Sequence, residues 1–353
     1  DSGYITAVDG TTDNFSIYAN DPLENKSLSH ASVRDIFMDS QNGMWLGTYF
    51  GGINYYHPFQ DRFSNIQLTN KENSLNCNII ECIREDARNN LWIGTNGGGV
   101  NCYNPRTRTF KHYTKKEGTG SDNVKVIYID EEKDLVYIGT HTGGLSILNR
   151  RSGRIETICN NRTNNIYTFE PTENGEFWVS GISELLRFNP KDKTFTTVTT
   201  LADGTPFPQI QATHILRDSQ RRLWLAGQKG LAVYTEKDGK LAPCPALPSP
   251  SPFNDKIINC VYESRQNGVF WIGTRSGLYK FDENTREIKQ YTLLHGLPNK
   301  AVHGIMEDSY GNLWLSTDKG LSCFQQKTGK FRNYTSNDGL QSNQFSNNAY
   351  CHA

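Results

Sequence analysis

"GNLWLSTDKGLSCF", residues 311–324, decides how the whole chain is read. It is written again, with small changes, as "NNLWIGTNGGGVNCY" (residues 89–103) and "GVFWIGTRSGLYKF" (residues 268–281). Aligning the chain on the aromatic residue gives seven units, centred on Trp45, Trp92, Tyr137, Trp178, Trp224, Trp271 and Trp314. They stand 47, 45, 41, 46, 47 and 43 residues apart. A period near that length fits either paired helices or a four-stranded blade. Each unit breaks into short β-rich runs at Gly, Asn or Asp, and none sustains a helical period. In the last unit "AVHGIMED", "LWLST", "LSCFQQ" and "FRNYT" read as four strands, joined by the turns "SYGN", "DKG" and "KTGK". The expected fold is therefore all-β, a seven-bladed β-propeller of four-stranded antiparallel blades with almost no helix.

The totals agree with a closed repeat array. The chain has 353 residues, which would otherwise split into two or three domains. Lysine plus arginine balances aspartate plus glutamate at 37 each. That leaves no field to attract nucleic acid or an anionic membrane. No apolar run is long enough for a membrane span. The eight cysteines form no CxxC pair and no zinc-spaced cluster, so no metal and no cofactor is expected. Cys82 and Cys260 hold one place in two repeats, as do Cys102 and Cys323, which points to small side chains in equivalent core slots.

Most repeated residues have structural roles. Asp39, Asp86, Asp218 and Asp308 stand six residues before the aromatic, where a carboxylate can accept backbone N–H groups of the first turn. The aromatic residues suit a packing slot between blades. Gly52, Gly99, Gly144, Gly230, Gly277 and Gly320 precede the third strand, where a positive φ is expected; unit four has Glu184 there instead. The first strands are apolar at two recurring positions, as at Val33 and Ile36, Ile80 and Ile83, and Val302 and Ile305.

The string "D-x-x-G-x-L-W-[IL]-G-T-x-x-G-L" followed by "F-x-x-Y-T" resembles the two-component-regulator propeller repeats of Bacteroidetes hybrid sensors. "WLGTYFGGINYYHPFQDRF" (residues 45–63) resembles the opening of the second of two tandem propellers in such proteins, and "YTSNDGLQSNQFSNNAY" (residues 334–350) their last repeat. The resemblance implies a non-enzymatic periplasmic sensor module of a hybrid histidine kinase, detecting a glycan or a glycan breakdown product. It implies as partners an oligosaccharide or monosaccharide, a neighbouring propeller, an immunoglobulin-like domain and a second copy of the chain. Any kinase activity would lie outside this chain. Residues 1–353 read as one propeller domain. Residues 1–20 and 343–353 read as partial repeats of a chain cut from a longer array, so that the two ends could jointly supply an eighth blade.

Function is expected in what is not repeated. The turns between second and third strands are one residue longer in units one to three than in units four to seven. The longer turns carry Tyr49, Phe50, Asn96 and His141; the shorter ones carry Lys229, Arg275 and Lys319. An aromatic flank facing a basic flank would suit an acidic or sulfated sugar. The plainer reading is solvated loop residues. A second row at one repeated strand position holds Asp35, Cys82, Ile127, Thr168, His214, Cys260 and Gly304, and reads mainly as packing. The proline-rich stretch at residues 241–256 reads as a stiff connection between blades, a spacer or a docking surface. The competing functions are a propeller lyase or glycosidase and a protein-interaction platform. A glycosidase needs two carboxylates at a defined separation, and no nucleophile motif or carboxylate pair stands out.

Overall fold

The structure is a computed structural model that describes residues 4–8, 15–21, 27–38, 44–56, 63, 65–70, 73–159, 163–237, 239–347 and 349. The chain forms two compact units, Asp1–Leu75 with Thr335–Ser342, and Asn76–Tyr334 with Asn343–Ala353.

Among the described residues the larger unit contains six four-stranded antiparallel sheets, each strand paired with the next in the chain. These are blades 2 (80–113), 3 (124–158), 4 (168–197), 5 (212–243), 6 (258–291) and 7 (302–334). First strands of successive blades are neighbours, so the blades share one row of inner strands. The smaller unit holds blade 1, three-stranded among the described residues (Val33–Met38, Met44–Thr48, Ile53–Tyr56), and a hairpin of Tyr4–Val8 with Phe15–Ala19. The protein is a β-propeller, with helix limited among the described residues to two short 3-10 turns at Leu293–His295 and Ser336–Asp338.

Packing follows the repeat. Trp92, Trp178, Trp224 and Trp271 are buried, each in a cluster with the following blade. Trp224, for example, stacks on Phe270 at 4.2 Å between centroids. Trp45 of blade 1 departs from the expected slot: it is 41 % exposed, its ring tilted against Tyr55 of its own sheet. Gly94 and Gly273 lie against the Cys82 and Cys260 sulfurs, where a Cβ would stand 2.5 and 2.6 Å from Sγ. A thiol on one strand thus fills the space left by a glycine on the next, which explains the paired cysteines.

The aspartates hold more than backbone. Asp86 accepts the amides of Arg88 and Asn90 at 2.9 and 2.8 Å, and the Trp92 indole N–H at 2.9 Å. Asp308 repeats this with Tyr310, Asn312 and Trp314, and Asp218 with Arg222 and Trp224. One carboxylate therefore closes the first turn and pins the core indole. Asp39 lies outside the described residues. Blade 6 has Ser264 at this turn, and there the buried Trp271 indole N–H has no partner among the described residues. Burial raises the Asp86 and Asp308 carboxyls, but the hydrogen bonds outweigh it and hold both below the usual carboxylate value.

The inner strands are not regular. In blades 1, 2, 3, 5, 6 and 7 the pairing of first with second strand skips one residue at the same place. Such a bulge adds one unpaired residue and re-aims its side chain. It explains why the apolar positions stand three apart: Val302 and Ile305 reach one face only because His303 is inserted between them. It also shifts the expected row in blade 3, where Val126, not Ile127, faces the glycine of the second strand. His214, in that row, donates its Nε2–H to the Val261 carbonyl at 3.1 Å.

Candidate functional site

Each blade has two ends. The aspartate turns occupy one; the second-to-third-strand turns, the connections between blades and the bulges occupy the other. At this linker end Gly97 and Gly99 donate to Asp122 at the entry to blade 3, Gly144 to Asn164 at the entry to blade 4, and Gly320 to Asn343 beyond blade 7.

The two turn lengths are two constructions. In the long turns Thr48, Thr95 and Thr140 each bond the glycine carbonyl four residues on, through both N–H and hydroxyl. In blades 5, 6 and 7 the strands close through two-residue hairpins, Gln228-Lys229, Arg275-Ser276 and Asp318-Lys319. All six expected turn glycines have positive φ, required by the tight reversal into the third strand. In blade 4 a different turn forms, with Gly181 N–H donating to the Glu184 carbonyl.

The seven candidate residues are only partly brought together. Asn96 and His141 converge on Asn123, Asn96 by backbone pairing and His141 by donating its amide at 2.8 Å. The Asn96 side chain donates to Glu81 at 3.1 Å. Lys229, Arg275 and Lys319 are exposed on three successive blades, and no side-chain bond or ion pair occupies them among the described residues. Tyr49 and Phe50 belong to the smaller unit. There the Phe50 ring stands edge-on to Tyr49 at 4.3 Å, with the Arg34 guanidinium 4.4 Å from the Tyr49 ring centre and His30 5.9 Å from Phe50.

The bulged residues are the part of this end that the repeat pattern hid. In the larger unit they are Glu81, Lys125, Thr213, Asn259 and His303, with Tyr167 at the equivalent place directly before the first strand of blade 4. All six are polar, in strands whose neighbouring positions are largely apolar. Lys125 Nζ pairs with Glu81 Oε1 at 2.6 Å. Asn259 is buried and donates to the Val302 carbonyl at 2.9 Å, tying blade 6 to blade 7. The His303 ring lies between Asp318 at 2.7 Å and Asn347 at 2.6 Å. The hydroxyls of Tyr167 and Thr213, on adjacent blades, have no partner among the described residues. Burial pushes the Tyr167 phenol up, so it stays neutral and able to donate. The spacing of three between apolar residues was the signal that could have found this row.

A further row faces the core aromatics: Arg84, Tyr128, Glu170, Leu216, Tyr262 and Met306, all partly buried. Burial pushes the Glu170 carboxyl up to about 7 against the opposing pull of Arg217 and Arg84. The proline-rich connection is held down by Arg286, which donates to the carbonyls of Pro245, Ala246 and Leu247. Among the described residues no cluster of His, Cys, Asp or Glu is placed to hold a metal ion, and no helix is long and apolar enough to cross a membrane.

Comparison with known proteins agrees with this architecture. Residues 27–50, 74–97 and 296–319 match the two component regulator propeller. Among solved structures, the chain is similar to the extracellular domain assigned to the hybrid two component system BT3049 of B. thetaiotaomicron. The TM-score is 0.77 at 26% identity, over 98% of this chain and 47% of that one. A second such domain, of BT4673 from the same organism, matches with TM-score 0.54 at 20% identity over 89% of this chain and 48% of that one. PorZ, a surface component of the type-IX secretion system of Porphyromonas gingivalis, shares the fold with TM-score 0.57 at 12% identity, over 97% of this chain and 52% of that one. The chain spans about half the length of these structures. A comparison with curated proteins gives no match. The chain is a β-propeller in which three segments match the two component regulator propeller repeat.

Proposed function

We propose that this propeller is a non-enzymatic, extracytoplasmic sensor module of a hybrid two-component receptor, and that it detects a glycan or a glycan breakdown product at its linker end. The observation that carries the reading is a division of labour along each blade. The aspartate end is filled by one repeated tie, carboxylate to turn amides and indole, in blades 2, 5 and 7. The linker end has a repeated backbone and unrepeated polar side chains, Glu81, Lys125, Tyr167, Thr213, Asn259 and His303 among them. A constant frame with variable side chains at one end is the arrangement of a binding scaffold. The similarity to the extracellular domain of a hybrid two component system supports the receptor context and a place outside the cytoplasm, periplasmic in such systems. The partners in this reading are a sugar, the neighbouring propeller and immunoglobulin-like domain of a longer parent chain, and a second copy in a dimer.

The test is thermal unfolding of the whole chain against a panel of oligosaccharides, with chromatography of each sugar after prolonged incubation. A subset of the panel should raise the midpoint and be recovered intact. Cleavage of a sugar would make the protein an enzyme. No shift with any sugar would leave an interaction platform as the better account.

A further inference from the structure

We propose that the bulged residues of the inner strands are the part of the linker end that reads the ligand, and that the ligand they read is an uncharged, hydroxyl-rich sugar. This rests on the sensor reading and narrows it to a place and a chemistry.

The first argument is the mismatch between backbone and side chain. Five inner strands of the larger unit carry a bulge at one register, and Tyr167 holds that place in blade 4. A bulge lifts one residue out of the ladder and frees its side chain from the pleat. Positions with a packing role carry recurring residues: Trp at the core slot, Asp at the first turn, Gly at the second. The bulge carries Glu81, Lys125, Tyr167, Thr213, Asn259 and His303, all different and all polar. Contacts within the protein account for Glu81, Lys125, Asn259 and His303; packing alone does not account for Tyr167 and Thr213, whereas contact with a polar ligand would.

The second argument is charge. The only acid and the only lysine of the arc are spent on each other, Glu81 with Lys125, both mostly shielded from solvent. A carboxylate or sulfate bound here would have to displace Glu81 from Lys125 and leave a shielded carboxylate with the Asn96 amide but without its cation, which is costly. The cations suited to such groups, Lys229, Arg275 and Lys319, stand outside the arc in exposed hairpins.

The third argument is the open hydrogen-bonding capacity. Tyr167 and Thr213 stand on neighbouring blades with hydroxyls that have no partner among the described residues. A hydroxyl both donates and accepts, as does each hydroxyl of a sugar. The Tyr167 ring adds a flat apolar surface of the kind that covers a pyranose face. Asn259, buried and bonded to the Val302 carbonyl, positions the strand rather than the ligand.

The experiment uses the whole chain and two probe sets in calorimetry, neutral oligosaccharides (arabino-, xylo-, manno- and galacto-oligosaccharides) and acidic ones (oligogalacturonides and sulfated chondroitin disaccharides). Thr213→Val and Tyr167→Phe remove one hydroxyl each while keeping shape, and thermal unfolding checks that both fold. Arg275→Ala is the outer control. The expected result is binding of a neutral probe, weakened about tenfold by each hydroxyl removal, unchanged from low to high salt, and unchanged by Arg275→Ala. Full affinity in the Thr213→Val, Tyr167→Phe double variant would overturn the arc and leave the sensor reading standing. Preference for an acidic probe, with salt-sensitive binding lost in Arg275→Ala, would overturn the neutral ligand and also leave the sensor standing. No binding of any probe would overturn both.

Discussion

Replacing Asp218 by alanine should destabilise the propeller more than the same change at Asp308, although both residues close the same turn of the repeat. Asp218 is buried and accepts the Arg222 amide, Arg222 Nε and the Trp224 indole N–H, each at 2.7 Å. Arg222 is itself buried and reaches on to Glu283 of blade 6. Alanine at 218 leaves this shielded guanidinium with one carboxylate and the indole with none. Breaking a buried pair in this way costs about 3–5 kcal/mol. Asp308 bonds Tyr310, Asn312 and Trp314 at 2.9, 2.8 and 3.0 Å, and Arg265 donates to its backbone carbonyl at 3.1 Å, with no cation paired to its carboxylate among the described residues. Trp314 is only partly buried, so water can replace part of what is lost, and the cost should be about 1–3 kcal/mol. For a cooperative unit of this size, 1 kcal/mol moves the melting midpoint by about 1–2 °C, so Asp218→Ala should lower it by roughly 5 °C and Asp308→Ala by about half as much. Calorimetric melts of the parent and both variants decide the matter. A midpoint for Asp308→Ala equal to or below that of Asp218→Ala would refute the reasoning, since it would show that the turn, not the ion cluster, carries the energy.

Other outcomes follow from burial. Trp92→Ala should cost about 3–5 kcal/mol, because the indole is 3 % exposed and packed against blade 3; an unchanged melt would show the ring to be dispensable to the core. Burial pushes Glu170 up to about 7, above the unfolded value near 4.3, so the stability it contributes is full below about pH 4 and is lost as pH rises through 7. Glu170→Gln should therefore match the parent at about pH 4 and exceed its stability by up to ~3 kcal/mol at pH 8; a variant no more stable than the parent at pH 8 would contradict this. Burial pushes Cys82 and Cys260 up to about 12, so iodoacetamide at pH 8 should spare both in the folded protein and label the exposed Cys159. Modification of Cys82 before unfolding would show that its slot is open.

The architecture was legible because a blade cannot bury its faces alone. Each unit must repeat the residues that fit its neighbour, and the tryptophans, turn glycines and turn aspartates appear at a fixed period. The reach of each aspartate to the indole six residues on was not legible, since it depends on the chain doubling back through the turn. The bulges were half visible. Val33 and Ile36, Ile80 and Ile83, and Val302 and Ile305 were seen as recurring pairs, yet a spacing of three in a strand puts two residues on opposite faces unless one is inserted. Missing that parity placed Ile127 where Val126 stands. At the linker end the sequence singled out the turns, but it could not show that Asn96 is held by Glu81 or that the Lys319 hairpin sits beside the His303–Asp318 pair. Those contacts join residues far apart in the repeat and follow from side-chain geometry alone.

The claim that a sugar is read at the linker end is tested most directly by hydrogen exchange, measured by mass spectrometry on the whole chain with and without a saturating oligosaccharide that the thermal panel has identified. The account predicts slowed exchange in the segments that enter and contain the bulges, around residues 79–83, 123–127, 166–168 and 211–215, with little change at the aspartate turns near 86–91 and 218–223. Protection confined to those aspartate turns would place the ligand at the opposite end of the blades and contradict the account.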